Sequence, residues 1–276
     1  MKRIKINKKK LLVFAVIILI LSVFLAFENN ALQITYYTYK TDKISEKYDG
    51  FKIVQISDLH NKKMGKNGEK LADRISECEP DIIVLTGDLV DSNHTDIEYS
   101  LNFCKEIKEF APVYYITGNH EKWLSDGDYK KLMNGLSENA VTILDNDFVK
   151  LDEENITIIG LDDDSLNSFT LNKVIENADK ESMMLLLAHE PQFWDEYNTC
   201  DIDLVLSGHA HGGQFRIPFT HKGIIAPDQS FLPEYTEGVF EKNGKTLIIS
   251  RGIGNSVIPF RLFNRPEIVC VTLDVQ

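Results

Sequence analysis

The chain has 276 residues, enough for one large domain with a sizeable buried core plus a short appendage. Its 43% hydrophobic and 26% charged content is that of a globular protein and excludes a disordered or low-complexity chain. Six of the 30 basic side chains fall in the first ten residues, so the remainder carries 24 against 42 acidic ones. That formal charge of −18 repels polyanions and argues against long nucleic acid as a partner.

Residues 11–27 are apolar apart from Ser22. As a helix they would extend about 26 Å at ~1.5 Å per residue, the short end of what crosses a bilayer. The basic block at 1–10 is expected to stay cytoplasmic. The reading is therefore a single-pass signal anchor at 11–27, with a domain over 32–276 on the extracytoplasmic side of the cell membrane. A cleaved signal peptide is the rival, but Phe24 to Ala31 contains no good pair of small residues for cleavage.

Polar and apolar residues alternate over 33–39 as in a strand. Tyr48, Asp49 and Gly50 make a turn, after which strand, polar cap and helix recur. A strand at 51–56 runs into Ser57, Asp58, Leu59 and His60. A helix over 69–79 puts Leu71, Ala72, Ile75 and Cys78 on one face, and Pro80 ends it. The strand at 81–85 leads to Gly87, Asp88 and Asp91. A helix over 96–109 has Leu101, Cys104, Ile107 and Lys108 in register. The strand at 112–116 leads to Gly118, Asn119, His120 and Glu121. A helix over 129–138 and strands at 141–144 and 156–161 follow. The strand at 183–187 runs into His189, and the one at 204–206 into Ser207, Gly208, His209, Ala210, His211 and Gly212. The tail has strands at 238–240, 246–250 and 268–273 without intervening helices, with a hairpin turn at Asn243 and Gly244. Strands alternating with helices indicate an α/β fold, whose ligands bind at the carboxyl ends of the strands. The cysteines are scattered without CxxC spacing, and Cys104 and Cys270 read as buried thiols.

Five strands end in residues that can hold a metal: Asp58, His60, Asp88, Asn119, His120, His189, His209 and His211. Five of the seven histidines stand in this set, which packing or solvation alone would not arrange. It contains no thiolate, so a structural zinc knuckle is disfavoured, and too many imidazoles for calcium. Carboxylate, amide and imidazole together suit Mn, Fe or Zn, Mn being the preferred choice. The donors outnumber what one catalytic ion needs, which points to two divalent transition-metal ions.

The order D-x-H, G-D, G-N-H-E, H and G-H-x-H resembles the calcineurin-like metallophosphoesterase superfamily, from Phe51 to the C-terminus. Gly212 to Gln214 and the tail from Ser250 to Glu267 are similar to its membrane-linked bacterial phosphodiesterase branch. The resemblance implies a β-sandwich of two mixed sheets flanked by helices. It also implies that Asp58, His60 and His211 hold one metal, that Asp88 bridges, and that Asn119, His189 and His209 complete the second. His120 would protonate the leaving group or stabilise the transition state.

The expected function is a membrane-anchored dinuclear-metal phosphoesterase. It would cleave a phosphodiester, pyrophosphate or phosphomonoester with metal-activated water; nearness to the membrane favours lipid or cell-envelope material, with a soluble nucleotide, a cyclic nucleotide or a teichoic-acid-like polymer as the open alternatives. The alternative is a metal-stabilised surface binding module without turnover, which the presence of Asp88 and His120 opposes. Arg251 and Arg261 lie in Gly/Pro-broken loops where they could grip a phosphate or form ion pairs. Asp91 reads as a support or a helix cap. Trp123, Phe193 and Trp194 read as cleft lining, with core packing the role of at least one. Asp162, Asp163 and Asp164 read as a solvated loop.

Overall fold

The computed structural model describes residues 8–220, 222–255 and 258–276. Residues 1–7 of the expected cytoplasmic segment lie outside it. The chain opens with α1 (Lys8–Asn30), which is exposed along most of its length, and continues into β1 (Gln33–Thr41) and β2 (Lys52–Ile56). Then come α2 (Glu69–Ser76), β3 (Ile82–Thr86), α3 (Ile97–Ile107), β4 (Val113–Ile116), α4 (Asn119–Lys122), α5 (Asp126–Glu138) and β5 (Thr142–Ile143). The second half runs β6 (Asp147–Leu151), β7 (Ile156–Gly160), α6 (Ser168–Ile175), β8 (Met183–Leu187), α7 (Trp194–Tyr197) and β9 (Leu204–Ser207). It ends with β10 (Gly238–Lys242), β11 (Lys245–Ile249) and β12 (Glu267–Val275).

These strands build two six-stranded mixed sheets, ordered β1-β12-β2-β3-β4-β5 and β10-β11-β9-β8-β7-β6. Strands β2, β3 and β4 are mutually parallel, as are β7, β8, β9 and β11. The period of two along a strand divides each sheet's side chains between two cores. Ile53, Val84, Ile116, Leu185, Leu206 and Val271 meet in the core between the sheets. Their neighbours Val54, Ile56, Ile83 and Leu85 face outward onto Leu71, Ile75, Phe103 and Ile107 of α2 and α3. On the far side, Ile159, Met184, Leu186 and Val205 pack against Leu171, Trp194 and Tyr197. The inner strands β2, β3, β4, β7, β8 and β9 are buried on both faces, which is why their sequences read as unbroken apolar runs.

Most expected elements are present, with changed edges. The face of α3 is carried by Phe103, Cys104 and Ile107; Leu101 is only partly buried and Lys108 lies off the core. The strand expected at 141–144 is reduced to two residues, and α5 starts at Asp126 because Ser125 caps it by accepting from Asp128 N–H. Strand β6 and helices α6 and α7 were not legible: β6 is a half-exposed edge that carries Asp147 and Lys150, and the helices are short. The four cysteines are buried and free, as Cys104 and Cys270 were expected to be.

Candidate metal centre

Parallel strands end on one edge, and that edge carries the motifs. Gln55, on the inter-sheet face of β2, joins the two sheets beneath the site. Its Nε2 donates to Thr86 Oγ1 at 2.9 Å and to the Ser207 carbonyl at 2.9 Å. Directly above, His209 N–H donates to Asp58 at 3.0 Å, tying the β9 motif to the β2 motif. The backbone at Asp58, His60, Asp88, His209 and His211 is left-handed, so each side chain turns off its strand end into the edge. Glycine is required where the two halves close. A Cβ on Gly208 would collide with Ser57 and Asp58, and one on Gly118 with Asp88 and His189.

Two groups of donors result. In the first, His60 Nε2 lies 3.2 Å from His211 Nε2, and His211 Nε2 lies 3.5 Å from Asp58 Oδ1. In the second, His189 Nε2 lies 3.1 Å from Asn119 Oδ1 and 3.2 Å from His209 Nδ1. Asp88 Oδ2 stands between them, 3.4 Å from His60 Nε2 and 3.4 Å from His189 Nε2. All seven residues expected to hold metal are thus brought together, and the acidic and histidine members are buried.

These contacts are what ions would require. Ligands at about 2.0–2.2 Å from a common ion at 90–110° stand roughly 3–3.5 Å apart. His189 Nδ1 lies 2.8 Å from the Thr86 carbonyl, which places the ring proton there and leaves Nε2 bare. His189 Nε2 faces the Asn119 amide oxygen and His209 Nδ1, a set of donor atoms that a cation would satisfy. The titration behaviour agrees. Burial pushes Asp58 up to about 6, and lowers His60 to about 4 and His209 to about 3. Burial also lowers His211 well below its ordinary value, as a neutral ligand should be. Burial opposes the charge on Asp88 as well, but the imidazoles of His189 and His60 outweigh it and hold the carboxyl far below its usual range. Burial disfavours the charged ring of His189, but the carboxylates of Asp88, Asp58 and Asp163 together outweigh it and raise the group well above its ordinary value; a bound cation would take the place of the proton on Nε2.

His120 lies at the rim. Ser92 N–H donates to its Nδ1 at 3.2 Å, which leaves the ring proton on Nε2. Its ring is 4.4 Å from that of His60 and 4.9 Å from that of Trp123. Asp91 Oδ1 is 3.7 Å from His120 Nδ1, so Asp91 accompanies this histidine rather than capping a helix. His120 N–H donates to Asp88 Oδ1 at 2.9 Å, so one turn of backbone serves both the ligand position and the rim. The cleft above holds about 640 Å³ and is lined by Asp88, Asn119, His120, Trp123, His209 and Asp228, among others.

Two expectations need correction, and a third is narrowed. Arg251 is buried in an ion pair with Glu267 at 2.8 Å, and Arg261 donates to the Gly254 and Arg251 carbonyls. Both guanidiniums are held by protein partners and do not open onto substrate; one nitrogen of Arg261 only approaches His211 Nδ1, at 3.5 Å. Trp194 and Phe193 belong to the third core, leaving Trp123 as cleft lining. Asp162 pairs with Lys122, and burial raises Asp163 to about 6, so only Asp164 fits a solvated loop.

The sequence did not single out Glu121, Ser92 or Asp228. Glu121 is fully buried and accepts from the backbone N–H groups of Asp88, Gly118 and Val90 at 2.9, 2.8 and 3.1 Å. Its place in the G-N-H-E motif was the available signal. Ser92 and Asp228, the latter 3.3 Å from His209 Nε2, carry no local signal.

A two-sheet α/β/β/α scaffold with carboxylate, amide and imidazole donors at the strand ends defines a metal-dependent hydrolase class. The chain belongs to the calcineurin-like phosphoesterase family, which residues 51–213 match. It is 32% identical over 254 residues to the uncharacterized metallophosphoesterase YkuE of Bacillus subtilis, covering 89% of this chain and 87% of that protein. It is 29% identical over 266 residues to an uncharacterized metallophosphoesterase of Aquifex aeolicus, covering 93% and 97%. A transmembrane protein with metallophosphoesterase domain from Danio rerio is 26% identical over 250 residues, covering 84% of this chain and 55% of its own length.

Proposed function

We propose that the protein is a membrane-anchored phosphoesterase with two divalent metal ions, Mn by preference, acting on phosphate esters of lipid or cell-envelope material. Phosphodiester, pyrophosphate and phosphomonoester bonds are all within its chemistry. The observation that carries the reading is Asp88 Oδ2, equidistant at 3.4 Å from one imidazole of each donor group. Asp58, His60 and His211 would hold one ion, Asn119, His189 and His209 the other, with Asp88 shared. The ions supply an activated water and neutralise charge on the attacked phosphoryl group.

The chain's own residues do the rest. Glu121 holds the Asp88 and Gly118 backbones, so the shared carboxylate cannot drift. The Thr86 carbonyl selects the His189 tautomer that offers Nε2. Ser92 does the same for His120, whose Nε2 proton is available to a leaving oxygen in the cleft. The apolar run in α1 anchors the chain at 11–27, the basic segment 1–10 stays cytoplasmic, and the domain over 32–276 works on the extracytoplasmic face.

The test is metal analysis and hydrolysis on the full-length protein in detergent. About two ions per chain and turnover of mono- or diesters are expected. One ion with full activity would remove the dinuclear arrangement, and two ions without turnover on any ester would favour a binding module.

A further inference from the structure

The last turns of α1 are fastened to the domain. The Phe24 ring packs on Phe263 with centroids 5.6 Å apart. Glu28 Oε2 accepts from Asn264 N–H at 3.1 Å, and the Arg265 guanidinium lies 6.0 Å from the Phe27 ring. Phe24 sits inside the apolar run, about 6 Å below Glu28 at 1.5 Å per residue. If the run occupies hydrocarbon, a residue in ring contact with Phe24 stands at the membrane boundary, not out in water.

Phe263 is not an isolated contact. Arg216 N–H donates to the Leu262 carbonyl at 3.0 Å, and the Phe215 and Phe260 rings lie 5.4 Å apart. The segment around Phe263 is therefore joined to the loop that carries Phe219, Phe231 and Leu232. Ile217, Phe219, Phe231, Leu232, Phe260 and Phe263 all point outward, Phe219 with its whole side chain exposed. Exposed apolar side chains concentrated on two joined loops mark a site of contact with something apolar. Continuity with α1 says what that is. Amphipathic surfaces seated on a bilayer enter it by roughly 5–10 Å, which matches the one-turn depth of Phe24.

We infer that these two loops form a second membrane contact beside the exit of α1, holding the domain against the bilayer. The inference rests on α1 being a membrane span. Its consequence is for the cleft, because Ile225, Ala226, Pro227 and Ile258 of the same loops line it together with His120 and Trp123. The cleft then opens at the lipid surface, and a phosphate ester carried on a lipid reaches it without leaving the bilayer.

Depth-dependent quenching tests this on the full-length protein, reconstituted in phosphatidylcholine–phosphatidylglycerol vesicles with acyl-chain-brominated lipid. The Trp123→Phe background leaves Trp194, buried in the core, as baseline. Three tryptophans are added one at a time. Val16→Trp reports α1, Phe219→Trp reports the loop, and Phe110→Trp reports the opposite edge, just before β4. Loss of fluorescence at positions 16 and 219, and none at 110, is expected. Quenching at 16 without quenching at 219 overturns the docking surface and leaves the anchor standing. Absence of quenching at 16 overturns the anchor and this inference with it. Equal quenching at 219 and 110 shows no preferred face and also overturns it.

Discussion

Replacing Glu121 by Gln tests whether a residue that touches no metal sets the geometry of the centre. The carboxylate accepts three backbone N–H groups in a fully buried position, two at Oε2 and one at Oε1. A glutamine keeps one oxygen for Asp88 and Gly118 but turns an amide N–H toward Val90 N–H. That strands two donors and removes the negative charge from the two bonds that remain. A stranded buried donor costs about 1–3 kcal/mol, and a bond to a charged acceptor contributes roughly 1 kcal/mol more than a neutral one. The sum is a destabilisation of about 4–8 kcal/mol, beyond what most single substitutions produce. Burial and the Asp88 charge outweigh the backbone donors of Gly118 and Val90 and push the Glu121 carboxyl up to about 8, whereas cations bound beside Asp88 would favour its ionised form. The substitution reports which wins. Denaturation of the full-length chain in detergent, with metal content measured on the same samples, should show lower stability and weaker metal retention together. Parental stability and metal content would mean that Glu121 is protonated in the native protein and does not fix Asp88.

His120→Ala should leave metal content near normal and lower turnover roughly 10²–10⁴-fold, more for alkoxide than for nitrophenolate leaving groups. Equal losses on both leaving groups would assign it to charge stabilisation. Arg251→Ala should cost about 3–5 kcal/mol of stability, because the buried Glu267 loses its partner. A raised KM in an equally stable protein would return Arg251 to substrate binding. Burial, and to a lesser degree Arg261, lower Lys62 to about 7, where it donates to the Asn29 and Ile253 carbonyls. Its folded pKa is below its unfolded one, so stability should rise as pH climbs from about 7 toward 10. Lys62→Met should flatten that rise; an unchanged Tm-against-pH profile would reject it.

The donor residues were legible because each stands within a few residues of an apolar strand, and a chain leaving a strand end can place a side chain only near that end. Glu121 was visible in its motif but silent as to role, since its three partners are backbone groups that no side-chain pattern records. The arginines misled for the opposite reason. Loops broken by Gly and Pro look exposed, and only the packed tail brings Glu267 against Arg251. The amino-acid order by itself determined the strand–helix alternation, the apolar N-terminal run and which residues are candidate metal donors, because these depend on short-range periodicity and residue chemistry. Tertiary structure alone decided the pairing of His60 with His211 across 151 positions, the tautomers chosen by Thr86 and Ser92, and the contact of α1 with Phe263. Those contacts exist only once two sheets, one of which takes the C-terminal strand β12 in among the N-terminal strands, have buried their shared apolar face.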